Sequence, residues 1–316
     1  MVNSSHHIRV HASAPGKIIL FGEHAVVYGR PAIAAPVTQV QVRASVEVNS
    51  EEQVWIEAPE ISLFSELSLL PPDNPLSLTI KKVLDLLGAG TLPPCTIKIH
   101  STIPVASGLG SGTAVSVAVI RAISEFLGFF FTDEQVSSLV YEIEKLHHGT
   151  PSGIDNTVIT LGKPVYFIKN MPTETIHSPS PMTFIIGNTG VSAPTKRSVE
   201  DVRNLWFQNK SQWEKVFDLI GNTTQQGRIA FEKGNLVKMG ELMNINHSLL
   251  QELTVSSPEL DNLVLAARKA GALGAKLSGG GRGGNMIALV EPGKTGKVVE
   301  SLKLEGAPST IITTIQ

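Results

Sequence analysis

Four short stretches of this 316-residue sequence carry residue types that could do chemistry. The densest is 101–116, STIPVASGLGSGTAVS, where Gly108, Gly110 and Gly112 separate an alternating strand-like run at 96–103 from an apolar stretch with helical spacing at 113–127. Glycine lets the backbone take left-handed angles and lie close to a ligand. A helix that begins after such a turn offers unpaired N–H groups and the positive end of its dipole, so the chemistry is anion binding, most naturally of a phosphate. The second stretch, Gly22-Glu23-His24, puts two ionisable side chains directly after the apolar residues 18–21. The third, Pro151-Ser152-Gly153-Ile154-Asp155-Asn156, places a carboxylate in or beside the first turn of a helix. The fourth, GAKLSGGGRGGN at 274–285, is a second glycine loop and contains a cation, Arg282.

Each stretch also has plainer readings. The run from Gly108 to Thr113 has no lysine after its glycines, and Gly293-Lys294-Thr295 is preceded by Ala288 where a Walker loop needs glycine, so neither is a Walker loop. A dinucleotide fingerprint fails at Thr113, which stands where its third glycine belongs, and at Phe130 and Phe131, where its acidic residue would fall. A tight strand-to-helix turn without a ligand stays open, as does a solvated surface turn for Glu23 and His24. Asp155 can serve the helix dipole alone, an effect under about 1 kcal/mol. Glu142 and Glu144 are two apart on one helical pattern, about 200° around its axis, and cannot share a site. His147 and His148 diverge on adjacent helical positions without a third ligand at zinc spacing, and read as helix-end residues.

Composition narrows the class of partner. Hydrophobic residues make up 42% and charged residues 17%, ordinary globular values, and the net charge of −2 supplies no basic field for nucleic acid. A small-molecule partner is favoured. The lone Cys95 excludes an internal disulfide and a cysteine metal site and suits the cytoplasm. The N-terminal residues lack an apolar signal region and no stretch is long enough to span a bilayer, so no membrane association is expected.

The elements that must position these residues follow from periodicity. Strands are expected at 10–14, at 40–48 paired antiparallel with 54–58, at 164–168, at 182–187, at 275–277 and at 285–290. Residues 63–74 read as loop and 76–87 as a helix ended by Gly88. Thr132 and Gln135 form a capping box for a helix reaching Leu146. Long helices are expected at 198–220, 235–253 and 258–270, with Trp206 and Trp213 on one core-facing side of the first. A Pro/Ser/Thr-rich link at 169–181 divides the chain into residues 1–172, which hold the glycine loop 104–113, and residues 173–316.

Taken together, three ordered motifs resemble the GHMP kinase superfamily of galactokinases, homoserine kinases, mevalonate kinases and phosphomevalonate kinases. They are APGKIILFGEHAVVYGRPAIA at 14–34, PVASGLGSGTAVSVA at 104–118 and GAKLSGGGRGG at 274–284. Within it, residues 22–29 and 151–156 are similar to the members that phosphorylate the primary hydroxyl of mevalonate. The resemblance implies an α+β fold of two domains with the active site in the cleft between them. It implies ATP and Mg²⁺, a cytoplasmic kinase of isoprenoid precursor synthesis, and room for a homodimer. Residue by residue, it implies Asp155 as the acid beside the substrate hydroxyl with Lys17 as its cation, and Glu23 and His24 at the acceptor. Thr195 and Lys196 would lie beside acceptor and phosphates. Nucleotide contacts fall on Ser101, Pro104, Ala106, Ser107, Gly108, Leu109, Gly110, Ser111, Gly112 and Thr113, and metal ligands on Glu144 and Ser111.

Two departures from the family pattern stand out. The second motif usually has a serine where this chain has Gly112, and that serine is the usual metal ligand. In the third motif Arg282 adds a cation, expected near the phosphates and able to offset a weakened metal site.

Overall fold

The alternation at 40–48 is the end of a much longer strand. The computed structural model describes residues 9–104, 107–148, 151–192 and 194–316, apart from the side chains of residues 147 and 148. In it β1 (Arg9–Phe21) and β2 (Ala32–Val48) pair antiparallel from Arg9 opposite Glu47 to Phe21 opposite Ile33. Pro15 has no N–H for the ladder, and the register slips between Pro15 and Gly16. The hairpin tip holds Gly22, Glu23 and His24, then one 3₁₀ turn, Ala25–Tyr28.

The chain continues through β3 (Val54–Ala58), β4 (Leu63–Glu66), α1 (Pro75–Leu87), β5 (Cys95–Ser101), α2 (Ser111–Phe126), α3 (Asp133–His148), α4 (Ile154–Leu161), β6 (Val165–Phe167) and β7 (Glu174–Thr175). These strands form one sheet in the order β4-β3-β5-β2-β6-β7, with β1 on β2. Helix α2 packs on β1 and β2 and against α1, α3 and α4, which is why its sequence carries no charge before Arg121. The expected capping box is present, with Thr132 N–H on Gln135 Oε1 at 2.9 Å and Gln135 N–H on Thr132 Oγ1 at 3.2 Å. The second sheet, β11-β8-β10-β9, is antiparallel throughout. It is built from β8 (Met182–Asn188), β9 (Gly274–Ser278), β10 (Asn285–Val290) and β11 (Ser309–Ile315), and joined with α5 (Thr195–Gln208), α6 (Lys210–Glu232), α7 (Leu236–Glu252), α8 (Pro258–Lys269) and α9 (Thr295–Leu304). Among the described residues no helix is long and apolar enough to cross a membrane.

Three expectations are corrected. β3 does not pair with β2: the mostly buried β5 lies between them and pairs parallel to β3. Alternation marks a half-buried strand but carries no information about its neighbour. Residues 63–66 are a strand, not loop, because Phe64 stacks on Trp55 with ring centres 5.0 Å apart across the β3–β4 pair. The helix expected at 198–220 is two helices broken at Asn209, whose side chain accepts from Gln212 N–H at 3.3 Å and caps α6. Trp206 and Trp213 therefore lie on different helices. Trp213 is core, whereas Trp206 packs on Tyr28 and donates its indole N–H to Glu214 at 2.8 Å.

β9 is a sheet edge, and its outward backbone groups are satisfied by side chains instead of another strand. Ala275 N–H reaches Asn244 Oδ1 at 3.1 Å, and Ala275 C=O accepts from Arg268 at 2.6 Å. Leu277 N–H reaches His247 Nδ1 at 3.3 Å, and Leu277 C=O accepts from Lys276 Nζ at 2.6 Å. Ser278 Oγ accepts from Ile19 N–H and donates to Ile19 C=O, each at 3.0 Å, tying β9 to β1.

His247 is buried, with Nε2 3.2 Å from Asp261 Oδ1. Burial, then the charge of Arg268, pulls the imidazole from 6.5 to about 4 against the opposing pull of Asp261. The unfolded chain takes up this proton near 6.5 and the folded chain only near 4, so stability must fall with pH across that window. From pH 7 to pH 5 this residue should remove about 2 kcal/mol. Urea unfolding of His247→Gln should start from lower stability at pH 7 and show a pH dependence shallower by that amount; an unchanged slope would exclude the assignment.

Candidate active site

The slip in β1 positions the first functional residue. After Gly16 the backbone N–H of Lys17 points to Leu109 C=O at 3.0 Å, docking the glycine turn on the strand. The Lys17 ammonium, in a side chain only 6% exposed, reaches Asp155 Oδ2 at 3.1 Å. Gly110, at φ 77°, precedes α2. A Cβ there would stand 2.6 Å from Ile159 Cδ1 and 3.1 Å from Lys17 Cγ, so both the backbone angle and the space demand glycine. With no side-chain cap on α2, the N–H groups of Ser111, Gly112 and Thr113 are the unpaired donors of its first turn. Asp155 lies in the first turn of α4. Both helix N-termini line one cavity of about 490 Å³.

The rest of the cavity comes from the hairpin tip, the second glycine loop and α5. Thr113 donates to Glu144 Oε1 on α3 at 2.9 Å, and both face the cavity. His24 holds φ 62° and places Nε2 3.1 Å from Gly280 C=O. Burial lowers its pKa from 6.5 to about 4, so the ring is neutral at pH 7; the bond to a carbonyl makes Nε2 the protonated nitrogen and Nδ1 an acceptor. Glu23 is buried and forms an ion pair with Lys276, which is wholly inside the protein. Desolvation pushes the Glu23 carboxyl up and the Lys276 ammonium down, each shift opposed by the other's charge. Thr195 packs on Gly280 so closely that a Cβ there would come 2.9 Å from its hydroxyl. From that point α5 lines the cavity with Thr195, Lys196, Val199, Glu200 and Arg203.

Of the residues expected at the site, the fold brings Lys17, Glu23, His24, Gly108, Gly110, Ser111, Gly112, Thr113, Glu144, Asp155, Thr195 and Lys196 to this cavity. Others face elsewhere. Ser101 Oγ folds back on its own turn, accepting from Ile103 N–H and donating to Ile103 C=O, each at 3.1 Å. Pro104, Ser107 and Leu109 form the back of the turn against Asn188 and Asn285, with Asn285 donating to Ser107 C=O. Ala106 lies outside the described residues. Arg282 corrects an expectation: its side chain is held by Asp201 of α5 and by Thr254 C=O at 3.3 Å, and it does not line the cavity. Its left-handed backbone, φ 60°, with N–H on Val255 C=O at 2.8 Å, aims the guanidinium at α5 instead of the α2 turn. Sequence reading missed Lys276 and Arg203. A lysine flanked by Ala275 and Leu277 in a strand was the available signal for the first; nothing local marks the second.

Comparison with known proteins gives the family of the chain. The GHMP kinases N terminal domain matches residues 77–163 and the GHMP kinases C terminal domain residues 228–307. The chain is similar to a mevalonate kinase of Pyrococcus abyssi, 37% identical over 95% of this chain and 94% of the relative. Among solved structures it is similar to the L. major mevalonate kinase in complex with R-mevalonate, with a TM-score of 0.84 at 31% identity, covering 97% of this chain and 95% of that one. The Methanococcus jannaschii mevalonate kinase gives a TM-score of 0.83 at 26% identity over 98% of each chain. With both domain matches in order, near-complete coverage and a shared fold, this chain belongs to the GHMP kinase family, among its mevalonate kinases.

Proposed function

We propose that this protein transfers the terminal phosphoryl group of ATP to the primary hydroxyl of mevalonate, giving 5-phosphomevalonate. The observation that carries the reading is the Lys17–Asp155 pair, 3.1 Å apart in the cavity where the N-termini of α2 and α4 meet. Phosphoryl transfer asks a protein for positioning and charge neutralisation more than for covalent chemistry. In this reading the α2 turn, Gly108 to Thr113, cradles the triphosphate with backbone N–H groups, and Lys196 adds positive charge from the opposite wall. Asp155 accepts the proton of the acceptor hydroxyl, while Lys17, 3.1 Å away, orients the carboxylate. Glu23 and His24 supply the acceptor side, and Thr195 closes it against Gly280. The division at 172/173 gives one domain the α2 turn and Asp155, and the other Thr195, Lys196 and Lys276. Buried Cys95, its thiol pushed up to about 11 by burial, is unreactive, and we assign the enzyme to the cytoplasm.

Mg²⁺ fits the donors present. Among the described residues no group of three or more His, Cys, Asp or Glu could hold a metal ion. A hard cation that keeps waters and nucleotide oxygens as ligands needs few protein atoms. Glu144 and the Ser111 hydroxyl would hold it, with Thr113 orienting Glu144 through their 2.9 Å bond. When bound, the ion neutralises charge on the phosphates.

Asp155→Asn should lower kcat by about 10² to 10⁴ with little change in ATP affinity. A coupled ADP-release assay with a nucleotide titration checks both, and near-normal kcat would remove Asp155 from the mechanism. Glu144→Gln should raise the magnesium concentration for half-maximal rate at fixed ATP; an unchanged value would make Glu144 structural. Gly112→Ser meets no atom within 4 Å at its Cβ, and Arg282 is occupied elsewhere. The substitution should therefore leave the melting temperature unchanged and lower the magnesium requirement.

A further inference from the structure

Glu23 and Lys276 form an ion pair from which water is excluded, both side chains being 0% exposed. Such a pair returns little net stability, because each charge loses its hydration. What it does give is geometry. The ammonium reaches Glu23 Oε1 and Leu277 C=O, so one carboxylate oxygen is anchored. The other oxygen, Glu23 Oε2, is buried without a hydrogen-bond partner, and Glu23 lines the cavity beside His24. An acceptor oxygen left unpaired in a buried site is costly unless a ligand supplies the donor.

Lys276 has little freedom to move. The strand that carries it is pinned on its open edge by Asn244, His247 and Arg268, and tied to β1 through Ser278. We infer that Lys276 is a positioning residue for the acceptor: it holds one oxygen of Glu23 so that the other accepts a hydrogen bond from a hydroxyl of the bound alcohol. This rests on the mevalonate kinase reading above. It also selects which hydroxyl is bound. Mevalonate is a 3,5-dihydroxy-3-methylpentanoate; its carboxylate would be repelled by Glu23, and its primary hydroxyl belongs to Asp155. The tertiary 3-hydroxyl remains as the donor for Glu23 Oε2.

The test uses steady-state kinetics of the full-length enzyme with mevalonate and with its 3-deoxy analogue, 5-hydroxy-3-methylpentanoate. Wild-type enzyme inactive on mevalonate would refute the functional reading, and this inference with it. With an active wild type, Lys276→Met should raise KM for mevalonate by about 10- to 100-fold, the loss of one charge-assisted bond. KM for ATP should stay within about twofold. The preference for mevalonate over the 3-deoxy analogue should collapse toward one. Glu23→Gln/Lys276→Met removes both buried charges, and it should lose the same preference without a further loss of kcat/KM. Should Lys276→Met fail to fold, the double variant gives the same readout. A folded variant that keeps both the wild-type KM for mevalonate and the wild-type preference would overturn the inference. So would parallel losses for ATP and mevalonate, which mark a merely structural role.

Discussion

Lys17 is committed in two directions at once, and the site depends on both. Its backbone N–H holds the glycine turn through Leu109 C=O, and its ammonium holds Asp155 at 3.1 Å. The first bond lies on the open edge of β1, just after the register slip between Pro15 and Gly16. β1 pairs only with β2, so alternate N–H groups face away from that ladder: Lys17 gives its own to the turn, and Ile19, two residues on, gives its own to Ser278. Lys17 thus ties the glycine turn to a carboxylate carried by another helix. Gly110 completes the arrangement, since any side chain there would push Lys17 and Ile159 apart.

The second half of the site rests on buried polar groups that a packed core would ordinarily exclude. Lys276 and Glu23 are tolerated inside because each neutralises the other, and because the edge of β9 is closed by helix side chains. The same wiring makes β9 rigid where it meets the cavity. Ser278 extends it to Ile19, two residues from Lys17, so the two halves of the site share a continuous set of hydrogen bonds. His24 and His247 are kept neutral by the same burial. Arg282, one of the two departures from the family pattern, has joined this framework: it latches the second glycine loop to α5 through Asp201.

Much was legible from residue order because the signals are local. Glycines before an uncharged helical stretch, the Thr132–Gln135 capping box and the Gly88 stop each act within a few residues, and the structure has all of them. The association of Glu23, His24 and Asp155 with the glycine turn came from the resemblance of three motifs, and so did the α+β fold of this GHMP kinase. What was misread depends on partners distant in the chain. The place of β3 beside β5, the strand at 63–66 and the break at Asn209 are decided by sheet order, by an aromatic contact across strands and by a cap that leaves apolar spacing undisturbed.

The sequence by itself therefore determined the turn, the helix starts and the residue types of the site, since backbone angles, capping and apolar periodicity are properties of neighbouring residues. The tertiary structure alone decided which side chains meet. Arg282 was expected at the phosphates from its place in a glycine loop, yet a left-handed φ of 60° sends its guanidinium to Asp201. Lys276 read as one residue of a strand, yet packing brings it to Glu23, 253 positions away. Contacts between segments so far apart in the chain are set by how sheets and helices stack, and no local pattern encodes that stacking.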